Sequence, residues 1–148
     1  MELVAVPGTG LTVSRWSFGT GSLHHLAIDG QRQRLLDAAA DAGFTHFDTS
    51  PYYGYGLAER DLGRFMSGRR GQFTVATKVG LYPYGPPSVT GAGVWARKGL
   101  GRIVRRIAAP RIDWSIREAE YSLGQSLARL RTDHVDALLL HEPDPGVV

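Results

Sequence analysis

One alternation constrains this chain more than any other feature. Short β-prone runs and helical stretches take turns along it, and every run stops at a small or polar residue. Trp16 to Gly19 is the first run and leads into Gly19-Thr20-Gly21. A helix is expected over 31–42, with Leu35, Leu36, Ala39 and Ala40 on one face and Gln31, Arg32, Gln33 and Arg34 leading in. Gly43 is its natural terminator. Phe44 to Phe47 is the second run, with Asp48 at its end. A helix over 57–66 follows, with Leu57, Leu62 and Phe65 as its apolar positions and Gly68 after it. Phe73 to Thr77 is the third run, and Lys78 stands at its end. Another helix runs to about Leu130. Asp113 or Ser115 can cap it, Ser115 and Glu118 have capping-box spacing, and Ile116, Leu123, Leu127 and Leu130 are its apolar positions. Val135 to Leu140 is almost wholly apolar, as a parallel strand buried on both faces should be, and His141 closes it. Strand and helix in repeated alternation predict an α/β fold with a parallel sheet. Residues 2–13, two extended pieces around Pro7-Gly8-Thr9-Gly10, predict a short β-hairpin in front of it.

The segment from Tyr82 to Arg111 breaks the rhythm. It is rich in glycine and proline and reads as a long loop over about 81–112, with a short helix near 99–108. Loops of that length inside a compact domain are unusual and often functional. Tyr82, Tyr84 and Trp95 are placed either to line a substrate pocket or to pack the loop.

Composition narrows the function classes. A chain of 148 residues, 43% of them apolar, suffices for a single domain over 1–148 with one core. No apolar run approaches the ~20 residues of a membrane helix. Met1-Glu2-Leu3-Val4 lacks the features of a secretory signal, so a cytoplasmic protein is expected. There is no cysteine, which rules out disulfides and thiolate metal sites. The net charge is +3, and Arg97, Lys98, Arg102, Arg105, Arg106 and Arg111 cluster in one segment. Aromatics only flank that cluster, at Trp95 and Trp114, so a solvated face is the better reading and nucleic acid is not expected as a partner. Lysine occurs only at 78 and 98, which makes Lys78 conspicuous.

The strand ends carry the chemistry. Gly19, Asp48, Lys78 and His141 each follow a predicted strand, and in parallel α/β folds the site lies on that face. Singly, most have bland readings: Asp48 as a turn residue, Tyr53 as packing among Tyr52 and Tyr55, His141 as a satisfied core histidine. Lys78 resists one, because an unpaired buried ammonium is costly. Taken together they suit one reaction. A tyrosine beside a cationic lysine has its phenolate favoured, a carboxylate can hold the lysine, and a histidine can orient a carbonyl or share its proton transfer. Such a set protonates a carbonyl oxygen without a metal, and a reduction would need a hydride cofactor. His24, His25 and His46 have no ligand spacing with His141, and no metal is expected.

Longer stretches carry a family resemblance. Gly43-Phe44-Thr45-His46-Phe47-Asp48-Thr49-Ser50, then Tyr53-Gly54 and Ala58-Glu59-Arg60-Asp61-Leu62-Gly63, resemble the aldo-keto reductase signature. Phe18-Gly19-Thr20-Gly21 resembles that family's first strand and turn, and Val75-Ala76-Thr77-Lys78-Val79-Gly80 its lysine strand. Ser126 to Leu130, Asp133 to Asp136 and Leu138-Leu139-Leu140-His141 resemble the helix and strand that lead to its histidine. The matches occur in order and span nearly the whole chain.

The resemblance implies a TIM barrel that uses NADP or NAD. It implies Tyr53 as general acid in reduction and base in oxidation, with Lys78 and Asp48 tuning it and His141 positioning the carbonyl. It places Gly19, Thr20, Gly21 and Asp48 near the nicotinamide, and the substrate among small carbonyl compounds or sugars. The wording around Asp48 is most similar to the branch of L-fucose, threo-aldose and L-galactose dehydrogenases. A TIM barrel takes ~250 residues, and Val148 lies just past the fourth barrel strand. A truncated, N-terminal half barrel of about four parallel strands is therefore expected, one that alone is marginally stable, or self-associates through its open edges, or is a fragment of a longer protein. The alternative to an enzyme is a non-catalytic remnant or binding subunit lacking the half that cradles the cofactor.

Overall fold

The structure, a computed structural model, describes residues 1–103 and 109–146. Strands β1 (Leu3–Ala5) and β2 (Thr12–Ser14) form the antiparallel hairpin that the turn at Pro7-Gly8 requires. Strands β3 (Phe18–Gly19), β4 (His46–Asp48), β5 (Thr74–Val79) and β8 (Ala137–Leu140) form one parallel sheet in the order β3-β4-β5-β8. Each strand thus lies beside the next one of this set along the chain, as the first half of a (β/α) barrel does.

Helices α1 (Asp29–Asp41), α2 (Leu57–Phe65) and α4 (Ile116–Leu130) connect these strands and pack on one face of the sheet. The core between helices and sheet contains Leu36, Ala39, Phe47, Leu62, Phe65, Met66, Phe73, Val75 and Leu130. Side chains alternate across a strand. With Phe47 and Val75 turned to the helices, Asp48 and Lys78 stand on the opposite face. Thr77 also faces the helices, and its hydroxyl donates to Glu59 Oε1 at 2.7 Å. Arg129 Nε donates to Glu59 Oε2 at 2.6 Å, so one fully buried carboxylate ties α2, β5 and α4 together beside Lys78. At Gly63 α2 meets α4 so closely that an added Cβ would stand 2.5 Å from the Arg129 carbonyl oxygen.

Several expectations are corrected. Arg32, taken from sequence as a polar lead-in to the first helix, is 1% exposed. Its guanidinium donates to Asp61 Oδ2 at 2.5 Å, to the Leu26 and Ala27 carbonyls and to Asp29 Oδ1, which together replace the water it gives up. Helix α1 begins at Asp29, two residues before the expected start, and Leu35 points outward while Leu36 and Ala39 fill the core. Ile116 likewise faces outward, at the first turn of α4. Lys78 lies within β5 rather than after it, because β5 continues to Val79.

The segment expected as one long loop over 81–112 is largely ordered. Strands β6 (Leu81–Tyr82) and β7 (Arg111–Ile112) pair antiparallel at its base, and α3 (Gly91–Ile103) lies between them. The expected helix over 99–108 thus begins earlier, and residues 104–108 of it lie outside the described residues. The apolar strand β8 is not buried as expected. Leu138, Leu139 and Leu140 are 44–46% exposed, since β8 is the sheet's outer edge and pairs only with β5.

Candidate functional site

The C-terminal ends of the four parallel strands bring the expected residues together. Lys78 Nζ donates to both carboxylate oxygens of Asp48 at 2.6 Å and to the Thr49 carbonyl at 3.0 Å. The same ammonium lies 4.8 Å from the centre of the Tyr53 ring. That ring stands edge to face with His141, 5.5 Å between centroids. Asp48, Tyr53, Lys78 and His141, separated by up to ninety-three positions along the chain (48 to 141), form one contiguous group.

Local backbone explains the placement of each. Past β4 the chain continues in sheet-like pairing, with Thr49 N–H donating to the Ala76 carbonyl. It then turns through Gly54, Tyr55 and Gly56, all at positive φ (59°, 56° and 84°). Two glycines make that left-handed run affordable. His141 follows β8 directly and its N–H is anchored on the Val79 carbonyl at 2.9 Å.

Gly19 is exposed at the end of β3, and an added Cβ there would meet nothing within 4 Å. Gly21 lies against Tyr53: an added Cβ would rest on the ring at 3.6 Å, an ordinary contact. Thr20 is fully buried, and its hydroxyl is used on the Asp48 carbonyl (3.0 Å) and the Thr49 hydroxyl (2.9 Å). It therefore shapes the turn on which both glycines stand.

Gly21, Tyr53 and His141 open on a cleft of about 310 Å³ that Tyr52, Leu81 and Lys98 also line. Burial lowers the proton affinity of His141, and the Lys78 cation lowers it further. Burial pushes the Tyr52 phenol up, with Tyr55 and Glu142 adding to it. His24, at the same cleft, is held down at about 4 by burial, then by Lys98 and His25. Its Nε2 lies 2.5 Å from Lys98 Nζ.

Sequence reading did not single out Ser50, His24, Lys98 or Glu142. Ser50 carried a usable signal, since it sits two residues past Asp48 on the same extended run. The scarcity of lysine pointed to Lys98 as much as to Lys78. Of the loop aromatics, Tyr82 lines a second cavity of about 180 Å³ with Tyr55, Arg111 and Tyr121. Tyr84 and Trp95 are exposed.

Three comparisons with known proteins agree. A family model described as "Aldo/keto reductase family" matches residues 15–148. A D-threo-aldose 1-dehydrogenase of a Pseudomonas species is 32% identical over 95% of this chain and 43% of its own length. An L-galactose dehydrogenase of Arabidopsis thaliana is 31% identical over 99% of this chain and 40% of its own. Among solved structures, the holo form of an aldo-keto reductase from Bacillus halodurans superposes with a TM-score of 0.75 at 27% identity, covering 95% of this chain and 40% of that one. The chain thus spans less than half the length of the relatives it matches.

Proposed function

The chain belongs to the aldo-keto reductase family, and from that premise we propose that it supplies the proton-transfer half of an NAD(P)-dependent oxidoreductase acting on a carbonyl or its alcohol. The observation that carries this reading is the Asp48–Lys78 pair set against the Tyr53 ring, with His141 across it.

Tyr53 is the general acid in reduction, giving its phenolic proton to the carbonyl oxygen, and the base in oxidation. The phenolate left behind faces the Lys78 ammonium. Asp48 grips that ammonium through both oxygens, so the charge is already in place when the proton moves and no reorganisation is needed. His141 orients the carbonyl oxygen towards Tyr53. Tyr52, whose phenol burial holds protonated, packs against His141 at 6.0 Å between ring centroids.

The residues present fit the nicotinamide end of NADP or NAD. Exposed Gly19 lets a ligand approach the backbone at the end of β3, Asp48 is its partner across the sheet, and the Tyr53 ring lines the adjoining cleft. Bound there, the cofactor supplies the hydride. The two curated relatives above are named as sugar dehydrogenases, which supports a sugar or another small aldehyde or ketone as substrate.

Titration with NADPH and NADH, followed by tryptophan fluorescence, tests the reading. Saturable binding is expected, with carbonyl turnover lost ~10²–10⁴-fold in Tyr53→Phe while binding persists. Failure to bind either cofactor at millimolar concentration would favour a non-catalytic binding role instead.

A further inference from the structure

Ser50 is fully buried two residues past β4, and its hydroxyl makes two contacts. The oxygen accepts the Tyr52 N–H at 3.1 Å, and it lies 3.0 Å from Nδ1 of His141. A buried hydroxyl must also place its own proton, because an unsatisfied buried donor is costly. Tyr52 N is a donor and cannot take it. The acceptor within reach is the unprotonated Nδ1.

We infer that Ser50 is a positioning residue: its hydroxyl donates to Nδ1 of His141 and thereby keeps the ring proton on Nε2, the nitrogen left to the cleft. The inference rests on the reading of His141 as the group that faces the carbonyl, and it adds what sets that group's hydrogen-bonding sense. An imidazole with a proton on Nδ1 would offer the cleft a lone pair, which repels a carbonyl oxygen. With the proton on Nε2 it offers a donor.

The surroundings favour the neutral ring that this arrangement needs. The groups facing His141 are Lys78 from β5, Asp48 from β4, Tyr52 and Tyr53 from the turn, and Glu142 beside it. Burial and the Lys78 cation oppose a second proton more than the two carboxylates invite one. Asp48 is already engaged by Lys78 through both oxygens.

Two-bond ¹H–¹⁵N correlation spectra of histidine-labelled protein at neutral pH read the tautomer directly. The expected result is a hydrogen-bonded, lone-pair-type Nδ1 and a protonated Nε2 on His141. Ser50→Ala should move the Nδ1 resonance towards that of a nitrogen without a donor and raise the pKa of His141, since a bond to its neutral form is gone. Ser50→Thr should restore both. In the enzyme assay Ser50→Ala should lower kcat about three- to tenfold, the rate equivalent of one neutral hydrogen bond. A protonated Nδ1 in the unaltered protein overturns the inference. So does a Ser50→Ala variant that folds and leaves the His141 resonances unchanged. The tautomer is read without turnover, so a locked Nε2–H in a protein that reduces nothing would sink the oxidoreductase reading and leave this one standing.

Discussion

Replacing Gly63 by alanine isolates the packing on which the site's scaffold depends. The new Cβ would stand 2.5 Å from the Arg129 carbonyl oxygen, 2.6 Å from the Leu130 carbonyl carbon and 2.7 Å from the Leu130 Cα. All three are backbone atoms of α4, so no side chain can swing away, and the helices must separate by roughly 0.7 Å or more to reach ordinary contact. Overpacking of this kind costs ~1–3 kcal/mol, and a rigid neighbour puts it at the upper end. Alanine returns ~1 kcal/mol of helix propensity. The net loss is about 2 kcal/mol, or roughly 4–8 °C in Tm for a chain of this size. Gly124, within α4, is the control: a Cβ there meets nothing within 4 Å. Gly124→Ala should therefore gain up to ~1 kcal/mol. Urea and thermal unfolding of the two variants give the comparison. Equal effects, or a stabilised Gly63→Ala, would refute the claim that α2 and α4 are in backbone contact.

Four other perturbations have defined outcomes. Asp61→Ala removes the fully buried partner of Arg32 and should cost ~3–5 kcal/mol by denaturant unfolding, because the guanidinium stays behind. His24 titrates at about 4 when folded, against 6.5 for the free side chain. Between those values the unfolded chain binds more protons, so stability should fall as pH drops from about 6.5 to about 4, by up to ~1.4 kcal/mol per pH unit. Lys98→Met should raise the His24 pKa in NMR titration but leave it below 6.5, because burial is the larger cause. Lys78→Met should lower turnover ~10²-fold or more in steady-state assays, by removing the cation that faces Tyr53; near-normal turnover would count against its proposed role.

Much of this was legible in the sequence because periodicity reports on local environment. The parallel strands and the helices after β3, β4 and β5 appear where the apolar spacing puts them. The capping box at Ser115 forms, with the hydroxyl accepting from Glu118 N–H at 3.3 Å. Asp48, Lys78 and His141 converge because strand ends in a parallel sheet share one rim. What spacing could not show was long-range pairing. The burial of Arg32 depends on Asp61, twenty-nine positions away, and on two loop carbonyls. The order within 81–112 depends on pairing of Leu81 and Tyr82 with Ile112 and Arg111 across that interval. Exposure of β8 was half legible: its run of leucines reads as a buried strand, while a half barrel ending after its fourth strand leaves that strand at an open edge.

The edge position of β8 has a dynamic consequence. Asp48 and Lys78 stand on β4 and β5, which are paired on both sides, whereas His141 follows β8, which like β3 at the opposite edge is paired on one side only. Opening free energy is lowest where backbone bonds and apolar cover are fewest. Amide exchange should therefore be slow along β4 and β5 and fast along β8. On gentle warming His141 should loosen first while Tyr53 and Lys78 keep their geometry; on the roles proposed above, orientation of the carbonyl is then lost at a temperature where the proton donor is still in place.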